Sequence, residues 1–226
     1  VLCLALSADG KKLAAGGCDR AVRIWDLSAG PTQAKLEQTI ENHADWVLGI
    51  HLSKDGKYLL SAARDKTAKV WDIAGRESVM TFPDHQNIVY SVAISQDGTT
   101  GFSVGADKQL RTWKPAGDGK QIKAAGGHTD EVFKVVLNPK TPILATSSAD
   151  KTVRLWDMQK LTATKILSGL NDFVYAVTFS PDGTLVAAGS YNGDVRIWNV
   201  NDGSERQTFN ASPGYKASSA ITAPKR

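Results

Sequence analysis

Five tryptophans recur along this chain at a nearly constant interval. Their spacings are 46, 42, 43 and 42 residues, and the set is Trp25, Trp71, Trp113, Trp156 and Trp198. Each one ends a short run rich in β-branched residues, such as AVRIWD or TVRLWD. A turn signal recurs on the same period, as Asp-Gly at Gly10, Gly56, Gly98 and Gly183 and as Asn-Pro-Lys-Thr in the fourth unit. Units of this size cannot bury an apolar face alone, so the period predicts stacked repeats.

Each unit contains the signals of four short strands. In the second unit the first strand is expected within residues 46–53, and a Lys-Asp-Gly-Lys turn follows it. The other three strands are expected at 58–63, 67–73 and 78–82. These runs are rich in β-branched and aromatic residues, which fit a pleated sheet, and helical periodicity is absent. The sequence therefore predicts an all-β fold.

A histidine stands 28 residues before three of the tryptophans, as His43, His85 and His128, and Leu170 takes this place in the last unit. With the Trp-Asp endings, this pattern resembles the WD40 family over residues 1–209. The resemblance implies a β-propeller with five recognisable four-stranded blades here. Because WD40 propellers usually close with seven blades and sometimes with eight, we expect further blades upstream in the same protein. A five-bladed ring is the alternative. Residues 210–226, rich in Ala, Ser, Pro and Lys, are expected to form a flexible tail.

The resemblance also gives the histidines a structural role. In the WD40 family a His, a Ser or Thr, an Asp and the Trp form a hydrogen-bonded chain within each blade, here called a tetrad. Blades 2 to 4 hold complete tetrads: His43, Ser61, Asp65 and Trp71; His85, Ser103, Asp107 and Trp113; His128, Thr146, Asp150 and Trp156. Blade 5 has Leu170, Ala188 and Asn192 instead. This joint replacement makes physical sense, because one orphaned buried polar group costs about 1–3 kcal/mol.

Ser, His and Asp are also the components of a hydrolase triad. Here the set occurs three times, each time with a tryptophan, which favours a structural role over catalysis. No phosphate-binding loop, metal-ligand cluster or carboxylate pair is present, so no catalytic residue, metal or cofactor is predicted. Cys3 and Cys18 have neither disulfide-framework nor metal-site spacing.

Membrane and nucleic-acid partners are disfavoured by other features of the sequence. No apolar run approaches the roughly 18 residues of a membrane span. The net charge is +4, and a basic residue stands two positions before every repeat tryptophan. Strand alternation places each of these beside its own tryptophan, where its aliphatic stem can pack. The basic residues thus need no polyanion. The cellular compartment stays open.

The resemblance further implies where a partner binds. In the WD40 family partner contacts often involve the third and fifth residues after the histidine and the residue before the turn aspartate, on the top face of the propeller. Six of these twelve positions in blades 2 to 5 are aromatic, against 8% of the whole chain. Two of the twelve positions are alanines. The other ten are the predicted partner-binding residues: Trp46, Leu48, Arg64, Ile88, Tyr90, Glu131, Phe133, Phe173, Tyr175 and Tyr191.

The sequence therefore predicts a non-enzymatic scaffold that binds a protein or peptide on its top face. Three alternatives stay open. The partner can instead dock at residues 28–38, taken as a lengthened connection between blades 1 and 2. The chain can be a regulatory or substrate-recruiting module of a larger enzyme or redox protein. A reader of nucleic acid is the third alternative.

Overall fold

The computed structural model describes residues 1–212, which form twenty strands in five four-stranded antiparallel sheets. Each sheet corresponds to one sequence repeat, so the predicted all-β fold and its five blades are confirmed. The last strand ends at Asn210, one residue beyond the expected boundary of the propeller. The rest of the predicted tail, residues 213–226, lies outside the described residues.

Within each blade the strands follow one another in chain order, each paired with the next. Blade 1 contains β1 to β4, at Cys3–Leu6, Lys12–Gly16, Ala21–Asp26 and Lys35–Glu41. Blade 2 contains β5 to β8, at Val47–Leu52, Tyr58–Ala63, Ala68–Asp72 and Glu77–Phe82. Blade 3 contains β9 to β12, at Val89–Ile94, Gly101–Gly105, Leu110–Trp113 and Gln121–Ala125. Blade 4 contains β13 to β16, at Val132–Leu137, Ile143–Ser148, Val153–Asp157 and Thr162–Leu167. Blade 5 contains β17 to β20, at Val174–Phe179, Leu185–Ser190, Asp194–Asn199 and Glu205–Asn210.

The segment 28–38 differs from its predicted role. It contains the short 3₁₀ helix Pro31–Gln33 and the start of β4, so it joins the third and fourth strands of blade 1. It is therefore a loop inside blade 1 followed by strand, and not a connection between blades 1 and 2. The register explains the assignment, because Trp25 of β3 pairs with Leu36 of β4.

Each of the Asp-Gly turns is held by its own side chains. In blade 2 the Ser53 hydroxyl donates to Asp55 at 2.6 Å and accepts from the Tyr58 amide at 2.8 Å. In blade 4 Asn138 replaces this pair, accepting from the Lys140 amide and donating to the Gly183 carbonyl of blade 5 at 2.8 Å. A Cβ at Gly183 would lie 2.3 Å from Asn138, so glycine is required there. These local bonds explain why the turn signals fix the ends of the strands.

Neighbouring blades are joined by apolar layers in which the tryptophans of blades 2 to 5 pack against the preceding blade. Trp113 of blade 3 is fully buried and stacks on Phe82 of blade 2 at 5.7 Å between ring centroids. Trp71, Trp156 and Trp198 lie in equivalent clusters. The core is thus a series of interfaces between sheets, and each sheet needs neighbours to bury both faces.

The outer faces of the two end blades are less covered. Leu4 and Leu6 of β1 are 62% and 59% exposed. In blade 5, Val195 and Ile197 are half-buried, whereas the equivalent Val153 and Leu155 of blade 4 are fully buried. Among the described residues, no segment covers these two faces as the inner blades cover one another.

The tetrad of blade 2 forms an unbroken chain of hydrogen bonds. The Trp71 indole donates to the Ser61 hydroxyl at 3.0 Å, and this hydroxyl lies 2.7 Å from His43 Nε2. His43 Nδ1 lies 2.8 Å from the Asp65 carboxylate. A carboxylate only accepts, so the proton of the neutral ring is on Nδ1 and Ser61 donates to Nε2. Every buried polar group of this tetrad thereby has a hydrogen-bond partner.

Blades 3 and 4 repeat this arrangement. In blade 3 the tetrad consists of His85, Ser103, Asp107 and Trp113, with bonds of 2.7, 2.9 and 3.1 Å. In blade 4 it consists of His128, Thr146, Asp150 and Trp156, with bonds of 2.7, 2.7 and 2.8 Å. In blade 5 Leu170 and Ala188 are buried apolar residues instead. Asn192 bonds locally, accepting from Ser190 and donating to Asp194.

Replacing Thr146 alone by alanine should destabilise the protein by about 1–3 kcal/mol, because two buried polar groups lose their partner. The triple substitution His128→Leu/Thr146→Ala/Asp150→Asn copies blade 5 and should cost clearly less than the sum of its three single substitutions. Urea unfolding of the four variants and the parent chain measures these differences. Additive costs would refute the view that the tetrad acts as a unit.

Candidate functional site

The predicted partner-binding residues lie at one end of the blades, where two loops of each blade meet. In blade 2 the Arg64 amide donates to the Trp46 carbonyl at 2.9 Å. In the same way Ala106 donates to Ile88, Ala149 to Glu131 and Tyr191 to Phe173, each at 2.9 Å. Two of the three predicted positions in each blade are therefore fixed to each other through the backbone. This end of the blades is the top face.

The remaining predicted position of blades 2 to 5 is the fifth residue after the histidine or its replacement. It sits on a β-bulge of the first strand of the blade, which is the innermost one. Register shifts skip Leu48 between Val47 and Gly49 and, at the equivalent points, leave out Tyr90, Phe133 and Tyr175. A bulge residue is unpaired in the ladder, and its side chain is redirected. In blades 2 to 5 the bulges thus redirect one side chain per blade, and these four side chains line one common cleft.

Aromatic side chains from blades 3, 4 and 5 form one continuous cluster. Ring centroids lie 5.4 Å apart for Tyr90 and Phe133 and 4.5 Å apart for Phe133 and Tyr175. Tyr175 also contacts Phe173 at 6.5 Å and Tyr191 at 6.1 Å. Phe173, Tyr175 and Tyr191 are 41%, 47% and 58% exposed. These are distances of favourable aromatic pairs, so the rings support one another while they face solvent.

This cluster borders a cleft of about 800 Å³, here called the aromatic cleft. Each blade contributes one equivalent residue to its wall, namely Leu2, Leu48, Tyr90, Phe133 and Tyr175 from blades 1 to 5. The charged residues at the cleft are Asp130, Glu131 and Lys134. The Tyr90 hydroxyl donates to the Glu131 carboxylate at 2.7 Å, which fixes that carboxylate beside the rings.

The remaining predicted positions contribute less to the cleft. Trp46 is 41% exposed but contacts Arg64, whose guanidinium lies 5.1 Å from the ring centroid. Arg64 also approaches Asp45 at 3.9 Å. Ile88 is half-buried. Ala106 and Ala149, which complete the twelve positions, are buried and offer little surface.

The WD40 sequence profile, described as WD domain, G-beta repeat, matches residues 1–26, 34–72, 76–114, 119–157 and 161–199. These five matches cover most of the chain. The first contains β1 to β3, and each later match contains the fourth strand of one sheet and the first three strands of the next. The chain belongs to the WD40 family.

Individual relatives of this WD40 chain match over about one repeat. It is 48% identical over 40 residues to the protein transport protein sec13 of Schizosaccharomyces pombe, which is 18% of this chain and 14% of that protein. It is 39% identical over 49 residues to eukaryotic translation initiation factor 3 subunit I of Aspergillus niger, which is 22% of this chain and 14% of that protein. The matched part thus spans about one-seventh of each relative.

The basic residues before the tryptophans of this WD40 chain are mostly paired within their own blades. Arg23 pairs with Asp19, and Arg196 pairs with Glu205. Arg111 contacts the tetrad residue Asp107 at 3.0 Å. Pairing with carboxylates, in addition to the packing expected from the sequence, accounts for these charges.

The carboxylates of the tetrads are stabilised in their charged form. Burial opposes ionisation of Asp65, but hydrogen bonds from His43 and Thr67 outweigh it and hold the pKa of Asp65 below its ordinary value. The same balance lowers the pKa of Asp107 and Asp150. The three Ser/Thr hydroxyls are fully buried and already bonded to an indole and an imidazole. They are thus not placed to attack a substrate.

The sequence did not predict a role for Lys134, which directly follows Phe133 on β13. Burial and the positive charge of Lys134 lower the pKa of His51 to about 4. Burial raises the pKa of the Cys3 thiol to about 11. Lys134 is thus close enough to act on residues of blades 1 and 2. Among residues 1–212 no cluster of His, Cys, Asp and Glu could hold a metal ion, and no helix is long and apolar enough to span a membrane.

His51 should make the stability of this WD40 chain depend on pH. The pKa of His51 is about 4 in the folded chain and about 6.5 in the unfolded chain. Above pH 6.5 the ring is neutral in both states and costs no stability. Between pH 6.5 and 4 the unfolded chain binds the proton more readily, so the free energy of unfolding falls with the pH. The variant His51→Gln should therefore lose roughly 1–3 kcal/mol less unfolding free energy than the parent chain over this pH range. Urea unfolding of both proteins between pH 4 and 7 measures the difference. Parallel pH profiles of the two proteins would contradict the assignment.

Proposed function

We propose that this WD40 chain is a non-enzymatic scaffold that binds a protein or peptide at the aromatic cleft. The observation that carries this proposal is the continuous cluster of aromatic rings from blades 3, 4 and 5, with three rings between 41% and 58% exposed. Tyrosine, tryptophan and arginine dominate the energetics of protein interfaces, particularly where they surround a pocket. An exposed cluster of this kind is typical of a binding surface.

The rigidity of the top face supports the same function. Backbone hydrogen bonds join the two loops in blades 2 to 5, and tetrads hold the loops of blades 2 to 4. Side chains held in place before binding lose less conformational entropy when a partner docks. The cleft therefore supports recognition of a partner without rearrangement of the blades.

The names of the two relatives agree with a scaffold role. One relative is a protein transport protein and the other is a subunit of an initiation factor. Neither name describes an enzymatic activity. In this chain the Ser, His and Asp side chains of the tetrads bond to one another and to tryptophan, which supports a structural rather than a catalytic use.

The combined substitution Phe173→Ala/Tyr175→Ala/Tyr191→Ala should abolish capture of specific partners, with affinity reduced roughly tenfold or more, because truncation of interface aromatics removes binding hot spots. Crosslinking pull-downs from the native lysate, followed by mass spectrometry, compare this variant with the parent chain. Circular dichroism verifies that both proteins fold.

The matched control is Leu36→Ala/Ile122→Ala/Ile166→Ala. These residues are 48%, 49% and 55% exposed on the outermost strands of blades 1, 3 and 4, so the control removes a similar number of exposed apolar side chains. It should keep the partners of the parent chain. Partners that survive in the aromatic variant and disappear in the control would move the docking site to the outer edges of the blades.

A further inference from the structure

The rings of the aromatic cleft stand at different angles and form a wall rather than a parallel stack. The interplanar angle is 31° for Phe133 and Tyr175, 60° for Tyr90 and Phe133, and 63° for Tyr175 and Tyr191. Rings tilted in this way leave faces as well as edges uncovered, and Phe173 and Tyr175 at the cleft are 41% and 47% exposed. Ring faces carry the negative part of the aromatic quadrupole and attract a cation within about 6 Å.

Glu131 adds a full negative charge to this wall. Its carboxylate accepts the hydrogen bond from Tyr90, and Glu131 precedes the cluster residue Phe133 by two positions. No ion pair in the described part of the chain includes Glu131 or Asp172. Asp130, by contrast, approaches Lys108 at 3.9 Å. The carboxylate beside the rings is thus left without a counter-ion.

The field around Tyr175 has the sign expected from these charges. Burial raises the pKa of Tyr175, and Tyr191, Asp172 and Glu131 raise it further. The cationic residue at the cleft, Lys134, acts instead on His51 and Cys3 of blades 2 and 1. The charges that act on Tyr175 are therefore negative, although Lys134 lies on β13 of blade 4 as well.

We infer that the aromatic cleft holds a lysine or arginine side chain of the partner, with Glu131 as its counter-ion and Phe133 and Tyr175 as its ring contacts. The inference rests on the proposed docking function and names the chemistry of the ligand. An apolar side chain in the same place would take water from the Glu131 carboxylate without replacing it, which is unfavourable. An acidic side chain would be repelled by Glu131 and by the ring faces.

Four peptides of the form acetyl-Gly-Ser-Gly-X-Gly-Ser-Gly-amide, with X as Lys, Arg, Leu or Glu, test the inference. NMR titration of the 226-residue chain, observed at the aromatic ring protons, gives the Kd of each peptide. The Lys and Arg peptides should bind at least about tenfold more tightly than the Leu and Glu peptides, and added salt should weaken them. Equal binding of the Leu and Arg peptides would overturn the inference.

Glu131→Gln removes the charge but keeps an oxygen that accepts from Tyr90. This variant should bind the Lys and Arg peptides roughly tenfold more weakly and leave the Leu peptide unchanged. Glu77→Gln, an exposed position on β8 outside the cleft, is the matched control and should bind like the parent chain. Binding of the Arg peptide to Glu131→Gln at full strength would overturn the role of Glu131.

The two proposals fail in different ways. If the peptides show no charge preference while the Phe173/Tyr175/Tyr191 variant still loses its partners, the cleft is a docking site and the cationic ligand is wrong. If that variant keeps every partner, the docking function fails, and the inference about the partner side chain fails with it. Loss of partners in both the aromatic variant and Glu131→Gln, together with the peptide preference, supports both proposals.

Discussion

In blades 2, 3 and 4 one buried hydroxyl accepts a hydrogen bond from a tryptophan and donates one to a histidine. In blade 2 this is Ser61, and the chain continues through His43 to Asp65 in the turn between β6 and β7. Because His43 precedes β5, the chain ties two loops of the blade together. The backbone bond from Arg64 to Trp46 joins the same two loops. In blades 2 to 4 the position of the top face therefore depends on a polar network in which each buried group relies on its neighbour for a partner.

Blade 5 shows that the same geometry can be kept without that network. Leu170 and Ala188 fill the space with apolar groups, and Asn192 bonds within its own turn. The Tyr191 amide still donates to the Phe173 carbonyl at 2.9 Å. Hydrogen bonds within the turn thus replace the tetrad that joins the two loops in blades 2 to 4. This leaves both aromatic residues of the blade 5 loops in positions equivalent to those of the other blades.

Much of this fold is encoded locally and could be predicted from the sequence. The tryptophan period defines the five blades, and turn residues such as Asp55 and Gly56 fix the strand ends through their own hydrogen bonds. Other features depend on register. The bulge at Tyr175 and the pairing of Trp25 with Leu36 arise from how strands align, which no spacing in the sequence reveals. The segment 28–38 was misplaced for this reason.

The cleft itself is the least local feature, because residues of all five blades form its wall. Blades 1 and 2 contribute Leu2 and Leu48, whereas blades 3 to 5 contribute aromatic rings and the three charged residues of blade 4, Asp130, Glu131 and Lys134. The aliphatic side of the wall thus differs from an aromatic side on which two carboxylates and one ammonium group leave a net negative charge. Lysine and arginine combine an apolar stem with a charged end, so one such side chain can satisfy both sides at once. A small ammonium ion would match only the charged side, and leucine would match only the aliphatic one. The asymmetry of the five blades therefore argues for a long basic side chain in particular.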